Sequence, residues 1–478
     1  MPPSLFQPLS IGSVSLQHRV VLAPLTRLRA DANHVPLLPL VKEYYSQRAS
    51  TPGTLLITEA NIIAAKAGGY FNMPGIWSPE QIKAWTEVSS LISFAIATVL
   101  IHNRRKVVNG VHAKGSFIFL QLAALGRGAI PEALRAEDPT FSIVSASDIP
   151  IAKDGEKPRP LTVAEIQEYV SLYVQAAKNA MEAGFDGVEI HSANGCLTDQ
   201  FLQDVSNNRT DAYGGSVENR ARFPLEVVKA VAEAVGEKKT AIRFSPWSPF
   251  AGMGMADPVP TFSYIVSEIK RLFPDLAYIH LIEPRIAAGS DVAKSADNAV
   301  QSNDFLREIW DDRPLISGGG FSRETAKKLA DKRKNALVAF GRHFIANPDL
   351  PLRLERISRY TLTIGPHSTC QASILPLGTL TSLLRVRHRL VGEGNCSRHN
   401  LGVLTDICMF AQDRSTIRPS VNLKMVSLIV IPPPAVATPC QWKILNMVHT
   451  GHIIILYLKV TLARIVEGAK ASLCLLYY

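Results

Sequence analysis

Cysteine pairs, long apolar runs and a targeting signal are missing from this sequence. Only six of its 478 residues are cysteines, and no two of them stand in a Cys-x-x-Cys pair. Zinc knuckles and redox dithiols use such pairs, so we expect no metal centre and a reducing compartment. The longest apolar runs, residues 91–101, 426–434 and 453–458, fall short of the ~20 residues that span a bilayer. The first ten residues lack the basic and apolar parts of a secretory signal, so we expect a cytoplasmic protein with no membrane partner.

Acidic residues are outnumbered, and the basic excess is unevenly placed. The formal net charge is +10, which by itself favours an acidic partner such as nucleic acid. Residues 362–478 contain eleven Lys and Arg against four Asp and Glu, and residues 89–107 contain three basic residues and no acid. The rest of the chain is electrically balanced. We therefore expect no nucleic-acid partner, and a basic nucleic-acid-binding protein stays an alternative hypothesis that only the net charge supports.

Eight short apolar or β-branched runs alternate with helical patterns over the first 345 residues. Such runs are typical of parallel strands that helices cover. The clearest helix is predicted over residues 162–183, where Thr162 and Glu165 form a capping box, and further helices are predicted over residues 221–235 and 323–331. This alternation favours a (β/α)8 TIM barrel, with a doubly wound sheet as the alternative. The predicted strands are residues 20–23, 55–57, 117–120, 187–190, 240–244, 278–281, 314–317 and 337–340.

Polar residues and glycines follow these strands. The active site of a TIM barrel lies at the C-terminal ends of its strands, so we expect these residues to converge on one face. Gly318, Gly319 and Gly320 follow the seventh strand, and Gly341 and Arg342 follow the eighth. Barrels commonly hold a phosphate there, because glycine lets backbone N–H groups approach the phosphate oxygens and arginine adds charge.

Two segments depart from the barrel pattern. Residues 89–107 interrupt a predicted helix, and joining Val88 to Val108 would place Ile82, Trp85 and Val111 on the same helical face as these two. We hypothesise that this atypical insert is translated intron or a gene-model error, which transcript sequencing would test. Residues 357–478 lack the alternation of strands and helices, and we expect a poorly ordered tail that arises from read-through.

Four motifs resemble the Old Yellow Enzyme family of FMN-dependent ene-reductases, also called NADH:flavin oxidoreductases. They are Pro24-Leu25-Thr26-Arg27 and residues 191–202, 209–220 and 280–285. The resemblance covers residues 4–88 and 108–356, so residues 1–356 are expected to form one FMN-binding TIM barrel with FMN held non-covalently at the strand ends. The family's closing segment, with an aromatic residue that covers the flavin, has no counterpart after Arg356.

The resemblance also assigns the cofactor contacts. It implies that Pro24, Leu25 and Thr26 line the flavin, with the Thr26 hydroxyl near the N5 and O4 edge, where it takes part in catalysis. Arg243 is implied to lie beside N1 and O2, where a guanidinium stabilises the anionic reduced flavin. The remaining implied contacts are Ala60 beside the ring, Gln121 at the pyrimidine edge, and Gly319, Gly320, Gly341 and Arg342 at the phosphate.

For catalysis the resemblance implies that His191 and Asn194 hydrogen-bond a substrate carbonyl oxygen. The family pattern then places a proton-donating tyrosine where this chain has Cys196. A thiol can donate a proton but is shorter, so we expect weakened protonation of the substrate. A bulky tryptophan of many relatives is replaced by Ala123, which predicts a roomier pocket.

The predicted function is therefore an FMN-dependent oxidoreductase that oxidises NADPH or NADH and reduces the C=C bond of a small α,β-unsaturated carbonyl compound. The predicted state is a monomer or homodimer. Cys196 keeps two alternatives open, an isomerase that returns the hydride after bond rotation and a catalytically impaired FMN-binding barrel.

Overall fold

The computed structural model describes residues 3–89, 111–287, 290–291 and 301–356. Eight parallel strands close into a barrel, in which β1 lies between β8 and β2 and each later strand pairs with the next. This confirms the predicted (β/α)8 TIM barrel. The strands are β1 Val20–Leu22, β2 Leu55–Ile62, β3 Phe117–Ala123, β4 Gly187–Ser192, β5 Thr240–Phe244, β6 Tyr278–Ile282, β7 Leu315–Gly318 and β8 Ala336–Phe340.

Eleven α-helices are described, and most of them pack around the barrel. Thr162 caps α4 through the predicted capping box with Glu165, and Ser216 caps α6. The helices are α1 Leu40–Arg48, α2 Pro79–Ser89, α3 Pro131–Glu137, α4 Val163–Glu182, α5 Leu197–Leu202, α6 Val217–Val235, α7 Val259–Leu272, α8 Asp304–Trp310, α9 Arg323–Lys332, α10 Arg342–Ala346 and α11 Leu350–Arg356.

Shorter elements complete the described chain. The strands Leu9–Ile11 and Val14–Leu16 form an antiparallel hairpin before β1. Two pairs of two-residue strands join Val144–Ser145 to Arg159–Pro160 and Ile286–Ala287 to Ser290–Asp291. The 3-10 helices are Ser4–Phe6, Ala65–Ala67, His112–Lys114, Gly126–Gly128, Glu237–Lys239 and Phe250–Gly252.

Five of the eight barrel strands, β2, β3, β4, β6 and β7, run further toward their C-terminal ends than the apolar runs indicated. β2 extends to Ile62 rather than residue 57, and β3 extends to Ala123 rather than residue 120. The added residues include Glu59, Asn61 and Gln121, which are polar but buried and hydrogen-bonded. A prediction that stops at the first polar residue therefore loses the part of the strand that forms the site.

Alternate strand residues point into the barrel, and their polarity changes along its axis. The lower interior is apolar: Phe119 fits against Gly187, whose missing side chain leaves room for the ring. The hairpin contributes Ile11, Val14 and Leu16 to the same cluster and closes this end. Further along the same strands the inward positions become polar, so the fold itself gathers polar groups at the C-terminal end. These inward polar residues are Gln121, Glu189, His191, Arg243 and His280.

The insert and the tail predicted from the sequence lie outside the described residues, except for Ser89 at the end of α2. On either side of the insert, Trp85, Val88 and Val111 are buried in one hydrophobic cluster. Within the described part of the chain, no helix is long and apolar enough to cross a membrane.

Candidate active site

The loop after β1 places Pro24, Leu25 and Thr26 at the C-terminal end of the barrel. Pro24 and Leu25 are half-buried, and Thr26 is exposed. The next two backbone N–H groups, of Arg27 and Leu28, donate to Oε2 of Glu59 at 2.8 and 3.1 Å. One buried carboxylate on β2 therefore fixes the course of this loop.

Glu59 is fully buried, which raises its pKa to about 7 even though the two backbone N–H groups favour its ionised form. The carboxyl consequently titrates near neutral pH. Its ionised state accepts both loop hydrogen bonds most strongly, because hydrogen bonds to a charged acceptor exceed those to a neutral one.

The strands β2 and β3 bring Ala60 and Gln121 side by side in register. Both residues are nearly fully buried. The Gln121 backbone N–H donates to the Thr58 hydroxyl at 3.0 Å, and its side-chain Nε2 donates to Oε1 of Glu189 at 2.7 Å. The amide group of Gln121 is thus held by β4 as well as by its own strand.

The C-terminal end of β4 carries His191, Asn194 and Cys196. His191 is 7% exposed, and its Nδ1 atom is buried with no hydrogen-bond partner among the described residues. Asn194 has a positive φ of 53°, and its backbone N–H donates to the Ser245 hydroxyl at 2.8 Å. The side-chain Oδ1 of Asn194 is likewise buried without a partner in the described chain. Two side chains at one strand end therefore each have a buried polar atom that can still form a hydrogen bond.

Burial holds His191 in its neutral form. Burial, followed by the nearby Arg243 charge, lowers the His191 pKa to about 3 against an opposing effect of Glu189. A neutral imidazole has one N–H donor and one acceptor nitrogen. His191 can therefore donate a hydrogen bond to a ligand oxygen throughout the physiological pH range without carrying charge.

Cys196 is the N-cap residue of α5 and is 6% exposed. Burial, followed by the nearby Asp199 carboxyl, raises the pKa of its thiol far above the usual range. The half-buried phenol of Tyr70 lies near enough for a charge on Cys196 to raise its own pKa, after the larger effect of burial. The thiol is therefore protonated and a weaker acid than a free cysteine.

Arg243 on β5 pairs in register with His191 on β4 and His280 on β6. Its Nε atom is buried and has no hydrogen-bond partner among the described residues. Burial lowers the Arg243 pKa, but a guanidinium remains protonated at any physiological pH. A positive charge therefore stands at the centre of this strand end.

Glycines line the ends of β7 and β8. Gly319 and Gly320 have φ angles of 126° and 61°, which side-chain-bearing residues rarely adopt. Gly341 has an ordinary negative φ, but a Cβ atom there would lie 3.0 Å from Cδ2 of Leu25. Arg342 follows as the first residue of α10. At the strand ends expected to hold a phosphate, the backbone therefore takes a course that suits glycine, and Gly341 leaves room for the Leu25 side chain.

The structure places all the predicted site residues at or just beyond the C-terminal ends of seven barrel strands. Because the barrel closes β8 against β1, the glycine turns and the Pro24–Thr26 loop are neighbours. Sequence reasoning assigned no role to Glu59, Glu189, His280 or Tyr70. The signal in the sequence that could have found such residues is an acidic residue inside an otherwise apolar strand, because a carboxylate buried there needs partners within the fold.

Comparisons with known proteins agree with this geometry. The model of the NADH:flavin oxidoreductase / NADH oxidase family matches residues 4–102 and 98–359. The chain is 50% identical over 354 residues to a chanoclavine-I aldehyde reductase of Penicillium roqueforti (strain FM164), covering 73% of this chain and 89% of that protein.

Two solved structures are similar over most of the barrel. An Old Yellow Enzyme from Pichia sp. AKU4542 has 35% identity and a TM-score of 0.65, with 75% of this chain and 88% of that chain covered. Morphinone reductase in complex with tetrahydroNAD has 37% identity and a TM-score of 0.63, with 77% and 94% covered.

Proposed function

Since this chain belongs to the NADH:flavin oxidoreductase / NADH oxidase family and is an FMN-dependent oxidoreductase, we propose that it reduces the C=C bond of α,β-unsaturated carbonyl compounds with electrons from NADPH or NADH. The observation that carries the proposal is the buried, unpartnered Nδ1 of His191 beside the Arg243 charge, with the Asn194 amide, whose Oδ1 is also unpartnered, at the same strand end.

The residues at the strand ends fit FMN. Its polar pyrimidine edge matches Gln121 and the unpartnered Nε of Arg243, and its phosphate matches backbone that only glycine readily adopts at Gly319 and Gly320. Thr26 offers an exposed hydroxyl in the neighbouring loop, and Gly341 leaves room for Leu25 to pack there. The chemistry that FMN supplies when bound is hydride transfer, first from the nicotinamide and then to the β-carbon of the enone.

His191 and Asn194 are proposed to bind and polarise the substrate carbonyl. The neutral His191 ring donates one N–H, and the NH₂ end of the Asn194 amide donates another, whereas its Oδ1 can only accept. Because negative charge grows on the carbonyl oxygen as hydride reaches the β-carbon, fixed donors at that oxygen stabilise the transition state more than the ground state. Their positions are held by β4 itself and by the bond from Asn194 to Ser245.

Protonation of the α-carbon is the step that this site supports least. Cys196 stands where the family pattern has tyrosine, and its thiol is buried and a weak acid. We expect slow protonation and an undiminished reaction between the nicotinamide and the enzyme. This same observation favours a second function, isomerisation, in which the hydride returns to the cofactor after bond rotation because the proton does not arrive.

Product analysis with an enone of fixed double-bond geometry tests the proposal. Incubation with NADPH should give the saturated carbonyl compound, two mass units heavier, with one NADPH consumed for each product molecule. A product of unchanged mass and altered geometry, without NADPH consumption, would support isomerisation. Neither product from an FMN-loaded, NADPH-reducible enzyme would show the impaired barrel.

Two variants test whether reduction of the enone depends on His191 and Asn194. His191→Ala and Asn194→Ala should each lower kcat/KM for the enone about 100-fold, the usual scale for losing one donor to a developing oxyanion. Thr140→Ala is a matched control, since Thr140 is an exposed residue bonded only to Asp138 in the described structure. Equal loss in the control would contradict the assigned site.

A further inference from the structure

Glu189 lies in the barrel interior beneath the residues assigned to the flavin, and no role has been given to it so far. It precedes His191 by two residues on β4, so both side chains point inward, with Glu189 one layer deeper. It is completely buried. A carboxylate at such a depth is costly unless the fold supplies partners.

Both carboxylate oxygens of Glu189 have a partner. Oε1 accepts from Nε2 of Gln121 on β3 at 2.7 Å, and Oε2 lies 2.9 Å from Nδ1 of His280 on β6. The Glu189 carboxylate thus links β3, β4 and β6 across the barrel interior. Gln121 and His280 are themselves almost completely buried, so neither partner can be replaced by bulk water.

The surroundings of Glu189 also determine which side chains in this cluster are charged. Burial works against ionisation of Glu189, but the hydrogen bonds from His280 and Gln121 and the positive charge of Arg243 hold its pKa below the usual value. Burial lowers the pKa of His280, so the ring is neutral and donates its Nδ1–H. Among these four side chains, Glu189 is the only anion and Arg243 the only cation. No ion pair joins the two within the described chain, because both Glu189 oxygens are already bonded elsewhere.

We propose that Glu189 is a positioning residue and the counter-charge for the flavin site, which fixes the orientation of the Gln121 amide and offsets the charge of Arg243. An ionised carboxylate accepts but cannot donate, so it forces the NH₂ end of Gln121 toward itself and turns Oε1 the other way. Gln121 then presents an acceptor to the N–H of a flavin imide. This inference rests on the FMN-binding site of the proposed function.

The counter-charge predicts the direction in which the midpoint potential of the flavin shifts when Glu189 is replaced. Negative charge collects on the pyrimidine edge when the flavin is reduced, and Glu189 opposes it while Arg243 favours it. Glu189→Gln should therefore tighten binding of reduced FMN relative to oxidised FMN by at least tenfold, which equals an upward shift of about 30 mV in the two-electron midpoint potential. It should also weaken binding of oxidised FMN, because a neutral amide at 189 no longer fixes the Gln121 orientation.

The experiment measures the midpoint potential and the FMN dissociation constant on the holoprotein. Asp186→Asn is a matched control. Asp186 lies just before β4, at the end of that strand opposite to the site, and its Oδ2 also has a histidine partner, Nε2 of His112, at 2.6 Å. The control should leave the potential unchanged. An unshifted or lowered potential in FMN-loaded Glu189→Gln overturns the counter-charge, and an equal shift in the control does so as well.

Two further variants keep the proposal testable if Glu189→Gln does not retain FMN. Glu189→Asp keeps the charge but shortens the side chain, so its potential should stay near the wild-type value while FMN binding weakens; unchanged affinity overturns the positioning role. Gln121→Ala combined with Glu189→Asp should weaken FMN no further than Gln121→Ala alone, and fully additive losses also overturn that role. Because neither readout uses an enone, failure of C=C reduction with FMN still bound counts against the proposed function only.

Discussion

Replacing Cys196 with tyrosine should accelerate the enone reaction and leave the reaction with NADPH unchanged. The wild-type thiol is held protonated, since burial and Asp199 raise its pKa. It is therefore a weaker acid than a free thiol, whose pKa is ~8.5. Its side chain is also short. A phenol reaches further into the pocket than a thiol and is a usable acid for a carbanion-like carbon.

The size of the gain follows from the value of a positioned acid. General acid catalysis contributes about 10²–10⁴-fold, and we expect Cys196 to supply little of it. Cys196→Tyr should recover a fraction of that contribution, at least about tenfold in turnover, or ~1.4 kcal/mol of barrier. The larger ring must also fit beside the half-buried Tyr70. Overpacking of a buried position costs about 1–3 kcal/mol of stability, so a lower Tm is expected in the same variant.

The assay separates the two half-reactions in an anaerobic stopped-flow instrument. The rate at which NADPH bleaches the flavin should not change, whereas the rate at which the enone restores the absorbance should rise. Cys196→Ala is the control, and its turnover should stay within about threefold of wild type, because the thiol supplies little of the proton transfer. Unchanged reoxidation in a folded, FMN-loaded Cys196→Tyr refutes the reasoning, and so does a large loss in Cys196→Ala.

Three further predictions concern packing, pH and the insert. Gly341→Ala should weaken FMN binding about tenfold, because its Cβ would lie 3.0 Å from Leu25; Gly128→Ala, with its nearest contact at 3.9 Å, should not, and equal dissociation constants would contradict the packing argument. Burial raises the pKa of Asp199 to about 7, so the folded state binds this proton more tightly than the unfolded chain, and stability should fall as pH rises from about 4 to about 7. Asp199→Asn should flatten that slope in urea unfolding, and an unaltered slope would count against it. Deleting residues 89–107, which joins Val88 to Val108, should raise the yield of FMN-loaded protein; a lower yield would show that the segment supports the fold.

The architecture was predictable because it depends on patterns that repeat. Eight buried runs with intervening helices indicated the barrel, and the capping box at Thr162 located the start of α4 to within one residue. The strand ends were less predictable. Glu59 and Gln121 interrupt the apolar pattern of their strands, yet both are buried because their hydrogen bonds are made inside the protein.

Contacts between strands explain what sequence reasoning missed at the site. Glu189 is joined to Gln121 and His280, residues 68 and 91 positions away along the chain, so no local spacing reveals the cluster. The weak acidity of Cys196 likewise depends on burial and on Asp199, which only the fold supplies. By contrast, His191 and Asn194 belong to one strand end and could be proposed together from their motif.

The flavin spectrum of the purified chain under anaerobic conditions tests the central claim most directly. We predict FMN absorbance that NADPH or NADH bleaches and that one equivalent of an α,β-unsaturated carbonyl compound restores, with slower recovery in His191→Ala. Protein that carries no FMN, or flavin that stays reduced after the enone is added, would contradict the claim that these strand ends form an FMN-dependent enone reductase.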